Sequence, residues 1–250
     1  DVRTRLPLLT TKSVPYMKAL HELRWFISGE QRIDYLQKHG VHIWDTWADE
    51  QGVVGPLYGS MWRDWKCAPG TAHAFGGDQS VDQLRKVIGS LRNRPMARSH
   101  VISAWRPDFL PFQSIKPCHV YLQFFVSVSG GLSLQVTQRS CDWFLGVPFN
   151  IAQYAAFVHI MAHMTGHWPD TLIWYGNDVH IYENHVEQIE TMFHREPVLP
   201  PQFAIRKDAP TDIDELDIER DVWVGNYAHN GRLKGDIVAQ GTPGEGVELA

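Results

Sequence analysis

Apolar residues recur at helical spacing in two stretches of the N-terminal half. Over 13–28, SVPYMKALHELRWFIS, Met17, Leu20, Leu23 and Ile27 share one face behind Ser13, a candidate cap, so the pattern predicts a core-facing helix. DQLRKVIGSL repeats it with Leu84, Val87, Ile88 and Leu91, and RNRP ends it. The rhythm then changes. HVISAW, HVYLQFFVSV and LSLQVTQRS are β-branched and aromatic runs that read as strands, the last two joined by a hairpin through Ser129, Gly130 and Gly131. FNIAQYAAFVHIMAHMTG places Ile151, Tyr154, Ala155, Val158, Met161 and Ala162 along one face up to Gly166, the pattern of a buried helix lying against that sheet. A strand in TLIWYGNDVHIY, a helix in ENHVEQIETMFHRE and a strand near QFAIRK follow, and the closing AQGTPGEGVELA is loop-like. The alternation predicts an α+β fold.

Composition narrows the class. With 250 residues, 44% of them hydrophobic, and no repeat or internal linker, residues 1–250 read as one domain around one core, with 240–250 as a loop-like tail. A formal charge of −5 supplies no broad basic field, so no nucleic-acid partner is expected. Cys67, Cys118 and Cys141 form an odd set without metal-like spacing, which argues against a disulfide framework and for a reducing, cytoplasmic home. No apolar run reaches the length of a membrane span and no signal peptide is visible, so no membrane partner is expected. The chain opens at DVRTRLPLLTTK, without a methionine and partway into an apolar stretch, so the N-terminus reads as incomplete.

KPCHVYLQFF raises the first chemical question, because Cys118 and His119 stand side by side where a strand begins. A cysteine there ordinarily packs as a small apolar side chain. QRSCDWFLGVPFN, however, gathers Arg139, Ser140, Asp142 and Asn150 around a strand-to-helix junction, where guanidinium, hydroxyl and amide groups converge on one ligand. His159 and His163 stand one helical turn apart, but no glutamate lies between them and no third ligand is evident, so no metal is expected. Cys67 and Cys141 read as inert.

The blocks PLLTTK, HELRWFISG, IWDTWADEQG, GPLYGSMWRDW, PCHVYLQFFV, QRSCDWFLGVPFNIAQYA and NDVHIYENH follow in order. Through them the chain resembles the thymidylate synthase family over almost its whole length. The resemblance implies a large twisted mixed sheet packed with helices, a sheet-to-sheet homodimer, and one-carbon transfer from 5,10-methylenetetrahydrofolate to C5 of a pyrimidine nucleotide. Cys118 matches the family nucleophile. A thiolate suits the chemistry because C5 is a poor nucleophile until a soft anion adds at C6 and creates an enolate.

The same resemblance assigns the remaining roles. Arg139 and Ser140 would hold the nucleotide phosphate, Arg98 would reach in from the partner subunit, and Arg139 would also place positive charge near Cys118. The Asn150 amide complements the carbonyl and ring N–H of uracil, whereas cytosine-modifying relatives carry aspartate there, so dUMP is the expected substrate. His180 and Tyr182 match the pair on the sugar 3′-hydroxyl, and His119 joins the nucleotide-binding set. Glu22 matches the glutamate that organises proton transfer through water, and Tyr58 the tyrosine near the C5 proton. Asp142 would bind the pterin ring, and Trp44, Trp47, Leu145, Gly146 and Phe149 would line the folate slot.

Departures from the family pattern bear on the product. Ser99 stands where a second arginine is usual, a further family arginine lies upstream of this chain's start, and Pro15 and Lys18 differ near the expected folate tail. The family chain typically stops soon after HP-IK, with a terminal carboxylate that helps close the site; here NYAHNGRLKGDIVAQGTPGEGVELA shortens the tyrosine-to-histidine spacing and runs on to Ala250. A looser lid favours water over hydride as the last reactant. The expectation leans narrowly to 5-hydroxymethyl-dUMP, with dTMP and dihydrofolate close behind because both tryptophans of IWDTWAD are retained. A catalytically retired nucleotide-binding relative is disfavoured by the intact set Glu22, Tyr58, Cys118, Arg139 and Asn150.

Overall fold

The computed structural model describes residues 1–68 and 79–237. Helices α1 (Tyr16–Ser28), α2 (Asp34–Lys38) and α3 (Tyr58–Arg63) come first, followed by the strand pair β1 (Trp65–Lys66) and β2 (Ser80–Val81) and by α4 (Gln83–Asn93). The main sheet is built from β3 (Val101–Ser103), β4 (His119–Val126), β5 (Gly131–Asp142) and β6 (Trp168–His180), with α5 (Gly146–Thr165) between the last two. After it come α6 (Val186–Phe193), β7 (Phe203–Ile205), α7 (Ile218–Asp221) and β8 (Val222–Val224).

The sheet order is β3-β4-β5-β6, antiparallel in its first two pairs and parallel between β5 and β6, so the fold is α+β with a mixed sheet. Parallel neighbours need a crossover, and α5 supplies it. The β4–β5 hairpin forms where the Ser-Gly-Gly run predicts it: Ser127 N–H donates to Gly131 O at 2.9 Å, and Gly130 takes φ +88°, which costs glycine nothing. The strand in QFAIRK forms as β7, but it pairs with β8 in a separate two-stranded sheet rather than joining the main one.

Two helices differ from their sequence pattern. α1 begins at Tyr16, and Ser13 does not cap it; Pro15 intervenes, and the Ser13 N–H donates to Gly231 O at 2.9 Å instead. Leu20, Leu23 and Ile27 enter the core as predicted, with Met17 partly buried against it. α5 is buried all round rather than along one stripe, because α1 and α4 pack on it opposite β5 and β6. Phe157 of α5 stacks on Trp62 of α3 with centroids 5.5 Å apart, and α5 ends at Gly166 with φ +74°.

The outer face of the sheet is unlike the inner one. Alternation puts Leu132, Leu134 and Val136 inward, while Phe125, Ile173, Tyr175 and Val179 stand 62, 51, 58 and 47% exposed. Gln135 pairs with Ile173 and Thr137 with Tyr175 on that outward face. Among the described residues no helix is long and apolar enough to cross a membrane. The tail at 240–250 lies outside the described residues.

Candidate active site

The Pro117-Cys118-His119 turn leads into β4, and the chain around it is fixed from two sides. Tyr58, at the start of α3, accepts the Cys118 N–H at 2.7 Å and the His119 N–H at 3.5 Å. A six-residue helix is too short to hold itself. Trp62 anchors α3 in the core, and Arg63 ties it to Asp82 at 2.8 Å and to Asp214 and the Ile27 carbonyl, both at 2.6 Å. From β5, Arg139 donates through Nε to Pro117 O at 3.0 Å and through Nη2 to Lys116 O at 2.9 Å. The same Nη2 lies 4.0 Å from the Cys118 sulfur. Burial pushes the thiol above its usual range, and the Arg139 charge and then the Tyr58 hydroxyl pull it part of the way back.

His119 is buried, stacked on Tyr58 with centroids 5.0 Å apart and set edge-on to Tyr154 at 5.1 Å. Burial drives its pKa down to about 4 against the opposing hydrogen bond to the Asn150 side chain, so the imidazole is neutral at pH 7. Asn150, in the first turns of α5, accepts at Oδ1 from Gln138 Nε2 at 2.9 Å, and Gln138 Oε1 accepts the indole N–H of Trp174 at 2.9 Å. An indole can only donate, so this chain fixes which way both amides point. With Oδ1 engaged, Asn150 offers its amide N–H groups to a ligand.

Glu22 is 5% exposed on α1, and each carboxyl oxygen receives one N–H: Oε1 from Trp44 at 2.5 Å, Oε2 from Gln153 at 2.7 Å. Burial raises its pKa to about 7 in spite of both donors. Burial, and next the nearby Cys118 charge, likewise lift the Tyr58 hydroxyl well above its ordinary value.

The C-terminal ends of β5 and β6 form one side of the site. Ser140 pairs with Asp178 and Asp142 with His180, whose ring meets Tyr182 edge-on at 5.0 Å. A shallow cleft of about 290 Å³ at the end of β6 is lined by Trp143, Val179, His180 and Ile181; Cys118, Arg139 and Asn150 do not line it. Asp142 uses Oδ1 to accept the N–H groups of Phe144 and Leu145 at 3.0 and 3.1 Å, holding the turn before Gly146. Lys12 braces that turn by donating to the Phe144 carbonyl, its Nζ lying 3.7 Å from the ring centroid, and burial lowers its pKa to about 8. Phe149 and Trp47 are partly buried against the core, and Trp44 is 7% exposed.

Cys118, His119, Tyr58, Arg139 and Asn150 thus come together, with Glu22 behind them. Arg98 does not join: it is exposed and its side chain has no partner among the described residues. Gln138, Gln153, Trp174 and Lys12 were not singled out by the sequence. A glutamine at 138 inside a strand and another at 153 inside an apolar helix were the available signals, since buried amides need partners.

The histidine pair in HIMAH diverges, His159 facing Val2 O at 2.6 Å and His163 facing Ala209 O at 3.1 Å. His21, His39 and Glu219 bring ligand-capable atoms within 4.8 Å of one another. The two imidazoles are stacked at 4.1 Å and 26°, so their lone pairs run side by side rather than converging on an ion.

A family model described as thymidylate synthase matches residues 1–239, a span that holds every site residue named above. The chain therefore belongs to the thymidylate synthase family, a family of one-carbon transferase enzymes that use methylenetetrahydrofolate as cosubstrate.

Proposed function

We propose that this chain, acting as a single catalytic domain, transfers a one-carbon unit from 5,10-methylenetetrahydrofolate to C5 of dUMP through a covalent bond between the Cys118 sulfur and C6. The observation that carries the proposal is the Arg139 guanidinium 4.0 Å from that sulfur, on a loop whose backbone it also clamps. The thiolate adds to C6, the ring electrons move toward the C4 carbonyl oxygen, and C5 becomes nucleophilic. The folate supplies a carbon at the oxidation level of formaldehyde. C5 bonds to that carbon, and loss of the C5 proton expels the folate nitrogen and leaves an exocyclic methylene on the pyrimidine. Water adds to it to give the hydroxymethyl group (hydride from tetrahydrofolate would give methyl), and expulsion of the sulfur from C6 restores the aromatic ring and the free thiol.

Arg139 and Ser140 bind the phosphate together with Arg98 of a second copy. Asn150, held by Gln138 and His119, reads the uracil edge, and His180 and Tyr182 meet the 3′-hydroxyl. Glu22 and Tyr58 handle the proton steps; a carboxyl with a pKa of about 7 gives and takes protons at neutral pH. Asp142, with Oδ2 unused in the turn it caps, accepts from the pterin, and Trp44, Trp47, Leu145, Gly146 and Phe149 flank the folate. The exposed apolar outer face of the sheet supports a sheet-to-sheet homodimer.

We favour 5-hydroxymethyl-dUMP as the product, on the altered tyrosine-to-histidine spacing after Tyr227. The second reading, dTMP with dihydrofolate, is favoured by Trp44 and Trp47, which stand edge-to-face at 5.7 Å beside Glu22 and restrict water there. Incubation with dUMP and methylenetetrahydrofolate, with the nucleotide identified by mass and dihydrofolate followed by absorbance, separates the two. Methyl product overturns the hydroxymethyl assignment, and undiminished turnover by Cys118→Ser overturns the mechanism.

A further inference from the structure

Gln153 lies in the middle of α5 at 1% exposure. Its Nε2 donates to Glu22 Oε2 at 2.7 Å and to the Ala19 carbonyl at 3.2 Å. Its Oε1 is equally buried and has no hydrogen-bond partner among the described residues. An acceptor left that way is costly, and it sits on the same amide that serves Glu22. The other donor to Glu22, the Trp44 indole, differs in kind: it has an N–H and nothing to accept with, whereas a primary amide offers both.

That asymmetry matters when Glu22 takes up a proton. A carboxylate accepts from both neighbours without conflict. A carboxylic acid protonated at Oε2 points an O–H at the Gln153 N–H, and two donors then face each other. We propose that Gln153 is a positioning residue that serves Glu22 in both protonation states, donating from Nε2 to the carboxylate and, after a half-turn of the amide, accepting at Oε1 from the acid. No proton leaves Gln153 in this exchange; the amide rotates about its last single bond, and the proton stays on Glu22. Trp44 holds Oε1 throughout, so the carboxyl keeps its place while its partner at Oε2 changes sense. In the acid form the Ala19 carbonyl gives up the N–H of Gln153.

The inference rests on the reading of Glu22 as a proton-transfer group, and the test separates the two. Infrared difference spectra of protein carrying isotope-labelled glutamate carboxyls follow Glu22 directly, the band being assigned by its loss in Glu22→Gln. Gln153→Met, similar in length but without an amide, takes a donor from the carboxylate and an acceptor from the acid. The charge-assisted bond is the stronger, so the titration midpoint is expected to rise by roughly one pH unit, and the protonated-carboxyl C=O band is expected to shift as its O–H loses the amide oxygen. The pH profile for tritium release from C5 of labelled dUMP should move the same way. Gln153→Glu keeps the shape of the native side chain and covers the case in which the methionine variant does not fold; a second carboxyl there should raise the midpoint further. An unchanged midpoint in either folded variant, or a protonated-carboxyl band in Gln153→Met identical to the native one, overturns the inference. If the wild-type protein releases no tritium, the reading of the site fails, while the infrared titration still decides on Gln153.

Discussion

Arg139 reaches Cys118 through space and through the chain at once: Nη2 stands 4.0 Å from the sulfur, while Nη2 and Nε hold the carbonyls of the two residues before it. Burial alone would leave a protonated, unreactive thiol, and the guanidinium is the nearest charge opposing that. Arg139→Gln removes the charge and should raise the thiol pKa further. Alkylation of Cys118 by iodoacetamide is expected to slow about tenfold at neutral pH, with the rate profile displaced to higher pH. An unaltered profile would mean that the charge does not act on the sulfur.

Asn150 is held at Oδ1 by Gln138, and its side chain also lies within hydrogen-bonding reach of the neutral His119 ring. Asn150→Asp keeps the acceptor that Gln138 needs but loses the N–H offered to a uracil carbonyl. Turnover of dUMP should fall by a hundredfold or more, on the order of the penalty for an unpaired buried polar group, and dCMP turnover should appear or rise. Competition between the two nucleotides in one assay is the measurement. Retained preference for dUMP would remove Asn150 from base selection.

Glu22 and His119 push the pH dependence of stability in opposite directions. The Glu22 carboxyl is raised from 4.5 to about 7, so its contribution is present below 4.5 and lost as pH rises through 7. The His119 pKa falls from 6.5 to about 4, so its contribution is present above 6.5 and lost as pH falls through 4. Each amounts to about 3 kcal/mol over its window. Between pH 4.5 and 6.5 the two slopes should nearly cancel in the native protein. Urea unfolding across that range should show stability rising with pH in Glu22→Gln and falling with pH in His119→Gln. Parallel curves for both variants would refute the opposition.

How much of this was legible in the sequence depends on the range of the interaction involved. Local periodicity located α1, α4, α5 and the β4–β5 hairpin, because spacing along one segment fixes those. It misjudged the start of α1, where Pro15 and a distant carbonyl at Gly231 decide the matter, and the exposure of α5, which depends on α1 and α4 packing over its outer side. Resemblance supplied the residues proposed to face a substrate. It did not find Gln138, Trp174 or Gln153, whose partners lie 12 to 131 residues away and become neighbours only when β5, β6, α1 and α5 assemble.

The exposed outer face of the sheet and Arg98, whose side chain has no partner among the described residues, make a joint prediction. If two copies meet through Phe125, Ile173, Tyr175 and Val179, then Ile173→Lys with Tyr175→Lys should give monomers in sedimentation equilibrium, since buried like charges oppose association. If Arg98 also serves the partner's phosphate site, Cys118→Ser and Arg98→Ala should each be inactive alone yet recover activity when mixed and allowed to exchange subunits. Half of the resulting dimers are mixed, and each has one site with both residues intact, so recovery should approach about one quarter of the native activity. Monomers that keep full turnover would refute the shared site. A stable dimer without recovery would leave the interface standing and place Arg98 in its own subunit's site or in none.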